Sequence, residues 1–328
     1  MTRLVALIRL AATWWEVQRM TLMLSCISTR ASLLRARWQR ELDQAPMSVE
    51  HSPDLGGQIC LLDELTGAIV RSVAVAMPAG LVSLGTEVAA CSPYAIHRVA
   101  QDLSWIEWDA ISLPSFNELH SVSRTNDGLL VASTGVDALV EVTADGGLLW
   151  SWWATAHGLD ATPLGQRRSL DTRCDFRGRE FGTLQQTTHV NSAVELPDGR
   201  ILASLFHQGM IVAIDRHTGA WRPVLDGLSH PHALQRLADG RLVLADSQRG
   251  IALLARWEAD ALRVIRQIRF KTSWLQHCSY DSERDRWVLV DGGESRLVLL
   301  GGEAGTRFIG EIALDPEWRV YEALALAD

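Results

Sequence analysis

Residues 119–134, LHSVSRTNDGLLVAST, contain a short strand, a turn centred on Asp127 and Gly128, and a second apolar strand. This order is the signature of a β-hairpin. The same order recurs three times further along the chain, in VNSAVELPDGRILASL (190–205), PHALQRLADGRLVLAD (231–246) and QHCSYDSERDRWVLVD (276–291). A third and a fourth strand follow each hairpin, as in ALVEVT (138–143) and LLWSWW (148–153). Four strands per repeat are the unit of a β-propeller blade.

The rest of the chain supplies two weaker blades. Residues 79–114 read as a degenerate blade with the strands LVSLGT, EVAACS, AIHRVA and SWIEWDAI. The segments QICLLD (58–63) and AIVRSVAV (68–75) supply outer strands, and the C-terminal VYEALALA (320–327) supplies their inner partner. Joining both chain ends in one blade removes an exposed sheet edge. The sequence therefore predicts an all-β, six-bladed propeller of four-stranded blades, closed by N- and C-terminal strands.

Residues 1–46 differ in composition from residues 47–328, which we assign to the propeller. The first segment is rich in arginine and has apolar residues at helical spacing, as in LVALIRLAATWW (4–15). It is interpreted as a helical or disordered extension upstream of Met47, which opens a stretch that looks like a natural protein start. The alternative is an amphipathic helix on a membrane surface.

Charge and cysteine content narrow the functional classes. The 31 basic and 39 acidic residues give a net charge of −8, and no basic patch stands out, so nucleic acid is not an expected partner. The five cysteines are scattered without a CxxC spacing, so neither a zinc site nor a disulfide framework is indicated. No run reaches the roughly 18 apolar residues of a transmembrane helix. A cytoplasmic protein is expected.

Equivalent positions of the repeats predict a polar ring. His120, Asn191 and His232 each lie eight residues before the turn glycine, and His277 lies eight before Asp285. Inner strands of a propeller line the central channel, so these four residues should meet near the axis. Glu118, His189 and His230 lie two residues before their ring partners, and alternation along a strand places them on the same face. His207 follows a second strand, from which it could turn back toward the pocket.

A lone histidine on an inner strand is usually solvated or bound by its neighbours. Five histidines at one phase of the repeat favour a functional site, because gathered imidazoles can share a metal ion or act as nucleophile and base. Residues 157–188 form a long connection that should cover the mouth of this site. Its five arginines could bind an anionic substrate, or pair with the acidic residues of the same loop. They are Arg167, Arg168, Arg173, Arg177 and Arg179.

The stretch 187–215, TTHVNSAVELPDGRILASLFHQGMIVAID, resembles the arylsulfate sulfotransferase family of propellers. In that family an inner-strand His-x-Asn-Ser leads through an Asp-Gly turn to a strand followed by a His-Gln pair. The resemblance covers roughly residues 115–250. It implies sulfuryl transfer between phenols through a sulfated histidine, without a cofactor. His232 would be the nucleophile, and His120, His189 and Asn191 would bind the sulfate oxygens.

The resemblance is incomplete, because the arginine that the family has near its His-Gln pair is replaced here by Phe206 or a neighbour. Glu118, His207, His230 and His277 remain candidates for binding a small anionic or phenolic substrate. A second interpretation is an oxygenase- or lyase-type metalloenzyme that binds iron, copper or zinc. Its ligands would come from His120, His189, His232 and His277, because imidazole suits these metals. A third is a non-catalytic propeller that binds a partner at its rim.

Overall fold

Six antiparallel sheets of four strands form the structure, a computed structural model that describes residues 20–42 and 54–326. The innermost strands of consecutive sheets contact one another in a closed ring around one axis. The predicted six-bladed propeller of four-stranded blades is confirmed.

Each of the first three blades runs from an innermost strand at the axis to an outermost strand at the rim. Blade 1 consists of β24 (Arg319–Ala325), β1 (Thr21–Ser28), β2 (Gln58–Asp63) and β3 (Ile69–Ala74). Blade 2 consists of β4 (Leu81–Ser83), β5 (Glu87–Ser92), β6 (Ala95–Ala100) and β7 (Ile106–Ile111). Blade 3 consists of β8 (Leu119–Arg124), β9 (Leu129–Ser133), β10 (Ala138–Val142) and β11 (Leu148–Trp153).

The last three blades follow the same order. Blade 4 consists of β12 (Val190–Glu195), β13 (Ile201–Leu205), β14 (Met210–Ile214) and β15 (Trp221–Leu225). Blade 5 consists of β16 (Pro231–Arg236), β17 (Leu242–Asp246), β18 (Ile251–Glu258) and β19 (Ala261–Arg269). Blade 6 consists of β20 (Leu275–Asp281), β21 (Arg286–Asp291), β22 (Arg296–Gly301) and β23 (Arg307–Ala313).

Blade 1 closes the ring by pairing the two ends of the described chain. Strand β1 lies between β24 and β2 and pairs antiparallel with both. Its side chains are almost all buried because both neighbours and the adjacent blade cover it. The predicted boundary between an extension and a propeller at residue 47 is therefore corrected, since residues 21–28 are the second strand of blade 1. The helix predicted within residues 4–15 lies outside the described residues.

One α-helix, α1 (Ala31–Leu42), lies in the connection between β1 and β2. The backbone nitrogen of Ala31 donates to the carbonyl of Glu317, and the backbone nitrogen and Oγ of Ser32 donate to the Glu317 carboxylate. These bonds satisfy part of the helix N-terminus and attach it to the segment before β24. Three short 3₁₀ turns complete the described helices, at Thr134–Val136, Ala154–His157 and Thr183–Gln185.

The hydrophobic core lies between neighbouring blades. Leu24 and Leu62 of blade 1 pack against Val288 and Val290 of blade 6, and all four side chains are buried. Similar clusters join the other neighbouring blades. Each blade therefore depends on the next to bury its faces. Within residues 20–42 and 54–326, no helix has the length and apolar character needed to cross a bilayer.

Leu24→Ala tests whether β1 is part of the folded propeller. Leu24 is fully buried in the core between blades 1 and 6, so the substitution should lower the free energy of unfolding by about 2–5 kcal/mol. Chemical denaturation measures the change. Leu33→Ala on α1 is the control, because Leu33 is exposed and its loss should cost less than about 0.5 kcal/mol. Equal, small effects would contradict the assignment of β1 to the core.

Candidate functional site

Two cavities open at opposite ends of the central channel. The upper cavity, of about 790 Å³, lies where the inner strands begin and includes Glu118, His189, Phe206 and His230 in its walls. The lower cavity, of about 910 Å³, lies where the inner strands end and is lined by polar groups such as Asn191 and His277. A layer of four residues borders both cavities and separates them. This axial layer consists of His120, His232, Gln276 and Tyr321.

A β-bulge at the start of several inner strands brings the axial side chains inward. Leu119 pairs with Ser133 and Ser121 with Ala132, which leaves His120 as the extra residue. Asn191 is left out of pairing in the same way in blade 4. Bulges bend the strand and redirect a side chain. The ring position is therefore a bulge position in blades 3 and 4, whereas in blade 5 His232 pairs with Ala245 and the register shift lies between His232 and Gln235.

In blade 6 the ring position belongs to Gln276 and not to His277. Leu275 pairs with Asp291 and His277 with Val290, so Gln276 is the extra residue of that strand. Between bulge and turn, the hairpin of blade 6 contains one more residue than the hairpins of blades 3 and 4, so a count of eight back from Asp285 reaches His277 instead of Gln276. His277 faces the lower cavity, with Nε2 2.6 Å from Nε2 of Gln235 and 3.6 Å from the Glu322 carboxylate.

Glu118, His189 and His230 line the upper cavity as predicted, but for a different reason. All three precede their strands and have left-handed backbone angles, with φ of 49°, 48° and 57°. Strand alternation does not apply to residues outside the strand. A left-handed conformation is costly for a residue with a Cβ atom, so the surrounding structure must hold it.

Five histidines lie around Phe206 and the axis. The ring centroid of His189 is 4.9 Å from that of His120 and 5.8 Å from that of His207. The ring of Phe206 lies 4.6 Å from His189, 4.4 Å from His230 and 5.3 Å from His232. The structure therefore brings together His120, His189, His207, His230 and His232, all predicted site residues. We call these five the histidine cluster.

Hydrogen bonds fix which ring nitrogen carries the proton in three of these histidines. Nδ1 of His232 lies 3.0 Å from the His230 carbonyl oxygen, which can only accept, so Nδ1 is the donor and Nε2 keeps its lone pair. Nδ1 of His189 likewise donates to Oε1 of Gln186 at 2.5 Å. Nε2 of His207 donates to the Thr183 carbonyl at 3.0 Å.

Glu118 positions His189 through Gln186. The side-chain nitrogen of Gln186 donates to Glu118 at 2.8 Å, which orients the amide so that its oxygen accepts from His189. Glu118 in turn lies 3.5 Å from the guanidinium of Arg37 on α1. A carboxylate, an amide and an imidazole thus form one chain of hydrogen bonds, which fixes the orientation of the ring.

Burial lowers the pKa of four histidines of the cluster, namely His120, His189, His207 and His232. Burial lowers the pKa of His232 to about 3 and that of His120 to about 4. Burial also lowers the pKa of His189 well below its ordinary value, and repulsion from His120, His207, His232 and His230 lowers it further. Proximity of several imidazoles in a poorly solvated site disfavours the charged form of each. His120, His189 and His232 therefore present neutral rings at neutral pH.

Two predicted site residues do not join the cluster. The amide nitrogen of Asn191 donates to the Pro231 carbonyl, and its oxygen accepts from Ser204 and Ser192, so its polar groups are already bonded. His277 lies in the lower cavity. Among residues 20–42 and 54–326, no three His, Cys, Asp or Glu side chains are placed to hold one metal ion. The residues proposed as iron, copper or zinc ligands therefore do not fit a single site.

The long connection covers the upper mouth, as predicted. Thr162, Pro163, Phe181 and Leu184 line the upper cavity. Four of its arginines pair with carboxylates: Arg167 with Asp160, Arg168 with Asp137, Arg173 with Asp171 and Arg177 with Asp175. The fifth, Arg179, lies over the ring of Phe176. These pairings favour the structural alternative over an anion-binding loop.

Asp137 anchors the segment that carries His189. One carboxylate oxygen accepts from the backbone nitrogens of Thr188 and His189, at 2.8 and 2.9 Å, and the other accepts from the backbone nitrogen of Thr187 at 2.8 Å. Arg168 pairs with the same carboxylate, and both side chains are buried. This network holds His189 in its left-handed conformation.

Several residues of the upper cavity are not predicted by the sequence pattern. They are Trp38 on α1, Trp274, Gln276, and Arg319 and Tyr321 on β24. Trp38 falls inside the presumed extension, and the others adjoin inner strands without sharing a residue type with the repeats. One signal points to Arg319 and Tyr321, namely the prediction that the C-terminal strand is the inner strand of blade 1. That prediction places residues near 320 on the axis.

No protein-family model matches this chain, and no curated protein matches it in sequence. Solved structures are similar in fold. A protein of unknown function from Bacteroides caccae has a TM-score of 0.60 at 11% identity, covering 94% of this chain and 100% of that one. The periplasmic gluconolactonase of Pseudomonas aeruginosa has a TM-score of 0.54 at 12% identity, covering 94% and 99%.

A propeller in a nidogen–laminin complex is similar too, with a TM-score of 0.56 at 11% identity, covering 92% of this chain and 97% of that one. At these identities the similarity shows the fold alone. Propellers serve both as enzymes and as binding modules, so the function has to be argued from the site.

The depressed pKa values predict sensitivity to acid. The folded protein keeps His120 and His232 neutral down to about pH 4 and about pH 3, whereas the unfolded chain binds protons below about pH 6.5. Their stabilising contribution is complete above about pH 6.5 and is lost as the pH falls toward the folded values. Lowering the pH from about 6.5 to about 5 should therefore reduce the free energy of unfolding by about 2 kcal/mol for each of these two histidines.

Urea unfolding across this pH range measures the effect. His232→Gln should reduce the dependence of the unfolding free energy on pH, because the substituted residue cannot bind the proton. His217→Gln is the matched control, since His217 is exposed in a turn. An unchanged pH dependence in His232→Gln would contradict a neutral, buried His232.

Asp137→Asn should lower the free energy of unfolding by about 3–5 kcal/mol, because it leaves Arg168 as an unpaired buried cation. It also turns an amide NH₂ group toward backbone N–H donors. Denaturation measures the loss, with Asp145→Asn in an exposed turn as control. Similar stability of the two variants would show that Asp137 does not anchor the segment.

Proposed function

We propose that this chain is a propeller enzyme that transfers a sulfuryl group from an aryl sulfate through His232. The observation that carries the proposal is the placement of His232. It lies in the axial layer at the base of the upper cavity, and its Nδ1 donates to the His230 carbonyl, so Nε2 keeps a lone pair. The sequence resemblance at residues 187–215 supports the choice of reaction.

A neutral imidazole is the form that can act as a nucleophile. Burial holds the pKa of His232 at about 3, so protonation does not remove its lone pair at neutral pH. Ser247 Oγ, also 3.0 Å from Nδ1, further restricts the orientation of the ring. Edge-to-face packing against Phe206 and Trp274 holds its sides.

The proposed reaction has two steps. In the first, Nε2 of His232 attacks sulfur, an N–S bond forms, and the S–O bond to the aryl group breaks with its electron pair leaving on the phenolate oxygen. In the second, the oxygen of an acceptor phenol attacks sulfur, the N–S bond breaks, and its electrons return to Nε2. The acceptor's proton balances the one taken up by the leaving phenolate, so no cofactor is consumed.

Other members of the histidine cluster suit different roles. Nδ1 of His120 and Nδ1 of His230 are buried without a hydrogen-bond partner among the described residues. The other ring nitrogen, Nε2, can donate to a sulfate oxygen when it carries the ring proton. His189 uses its Nδ1 proton on Gln186, so its Nε2 accepts. It therefore suits the hydroxyl proton of the acceptor better than a sulfate oxygen.

The walls of the upper cavity fit a small aromatic molecule. Trp38, Phe181, Phe206 and Trp274 contribute aromatic faces, and Tyr321 closes the base. Aromatic walls around a few polar groups are typical of small-molecule sites. The connection over residues 157–188 and α1 cover the mouth, which limits access of water to the sulfated intermediate.

Incubation with p-nitrophenyl sulfate should release p-nitrophenolate, form the sulfate ester of an added phenol, and leave protein heavier by one SO₃ group. His232→Ala should reduce transfer roughly a thousandfold or more, because the nucleophile is lost. His217→Ala, in an exposed turn, should retain it. Intact-mass spectrometry and release of the chromophore are the readouts. Sulfated protein in the His232→Ala variant would overturn the role of His232.

Elemental analysis of the purified protein separates this proposal from the metalloenzyme alternative. Sulfuryl transfer should proceed in protein without iron, copper or zinc and should survive a chelator. Stoichiometric metal together with loss of transfer on chelation would contradict the proposal. Absence of transfer with every aryl sulfate and phenol pair tested would also contradict the proposal.

A further inference from the structure

We infer that Arg319 and Trp38 select the substrate of this site as an aromatic monoanion, with Arg319 binding the anionic group and Trp38 contacting the aromatic ring. Both line the upper cavity, and both come from the closing blade. The inference deepens the proposed function, on which its catalytic consequence rests. Binding itself is measurable without turnover.

Arg319 is a cation at the cavity wall with no carboxylate paired to it among residues 20–42 and 54–326. Its Nη1 donates to the Gly292 carbonyl, and its buried Nε has no hydrogen-bond partner in the same part of the chain. Asp291, which acts on it electrostatically, already accepts from Thr272, two backbone nitrogens and Arg296. An unpaired charge removed from water is expensive. A ligand anion in the cavity would offset that cost.

Arg319 is half-buried, and burial affects its pKa. Burial lowers the pKa of Arg319 to about 10, and repulsion from Arg35 adds to this effect, while Asp291 opposes it. An arginine pKa stays far above neutral even so, and the side chain remains charged. The guanidinium is thus a permanent cation in a poorly solvated wall.

Trp38 lies directly beside this cation. The guanidinium carbon of Arg319 is 5.5 Å from the centroid of the Trp38 ring, within the range of a cation–π contact. Trp38 is held in place because neighbouring Leu34 and Arg37 are buried, and Arg37 pairs with Glu118 and Glu180. The guanidinium therefore lies over the Trp38 ring, and both side chains border the upper cavity.

Two further aromatic side chains of the cavity, Phe206 and Trp274, border the proposed nucleophile His232. The rings of Phe206 and Trp274 are 6.3 Å apart, and each borders His232, at 5.3 and 5.5 Å. The aromatic ring of a ligand bound in the upper cavity would therefore contact aromatic side chains between Trp38 and His232. Among the described residues that line this cavity, Arg319 is the arginine without a carboxylate partner.

Three size-matched probes separate charge from aromaticity: benzenesulfonate, phenol and cyclohexanesulfonate. The carbon–sulfur bond of a sulfonate resists transfer, so calorimetric titration of the full chain reports binding alone. Wild-type protein should bind benzenesulfonate at least about tenfold more tightly than either of the other two, because only this probe engages both residues.

Two variants test separately the preference for an anion and the preference for an aromatic ring. Arg319→Gln should weaken both sulfonates about tenfold and leave phenol nearly unchanged, whereas Trp38→Leu should weaken benzenesulfonate and phenol but spare cyclohexanesulfonate. Controls are Arg263→Gln on β19 and Trp105→Leu near β7, which are exposed and remote from the cavity. If Arg319→Gln does not fold, Arg319→Lys keeps the charge and should retain sulfonate preference with reduced affinity.

The outcomes separate this inference from the proposed function. Equal affinity of wild-type protein for the three probes, or an Arg319→Gln variant with unchanged benzenesulfonate binding, overturns the selection of an aromatic anion even if sulfuryl transfer is observed. Selective binding that depends on both residues supports it, and does so even if no sulfuryl transfer occurs.

Discussion

Antiparallel pairing of β1 with β24 is the interaction on which the rest of the structure depends. A propeller blade cannot bury both faces alone, so the ring must close, and here it closes between the two ends of the described chain. The same closure brings α1 and Arg319 to the upper mouth. Closing the ring therefore also completes the site, because α1 follows β1 and lines the cavity together with Arg319 and Tyr321 of β24.

Local irregularities convert a regular ring of strands into a site. Bulges at His120, Asn191 and Gln276 direct these side chains toward the axis, and left-handed residues precede three of the inner strands. Such conformations cost energy. Buried carboxylates such as Asp137, bonded to the backbone around His189, hold one of them in place.

The electrostatic character of the upper cavity follows from burial. His120, His189 and His232 stay neutral because their charged forms are poorly solvated, whereas the guanidinium of Arg319 stays charged because its intrinsic pKa is so high. A site with neutral nitrogen lone pairs, an uncompensated cation and aromatic walls differs from a hydrated channel. These are the features on which the proposed sulfuryl transfer and the inferred selection of an aromatic anion rest.

The sequence by itself determined the six blades, the closure by both chain ends and most of the histidine cluster, because turn spacing and apolar alternation are local. The tertiary structure decided what depends on register. Because the hairpin of blade 6 contains one additional residue, Gln276 and not His277 lies at the axis. Strand β1 and α1, within the presumed extension, proved to be part of the propeller, because their burial depends on partners at the far end of the chain. Arg319 and Trp38 meet only through that closure.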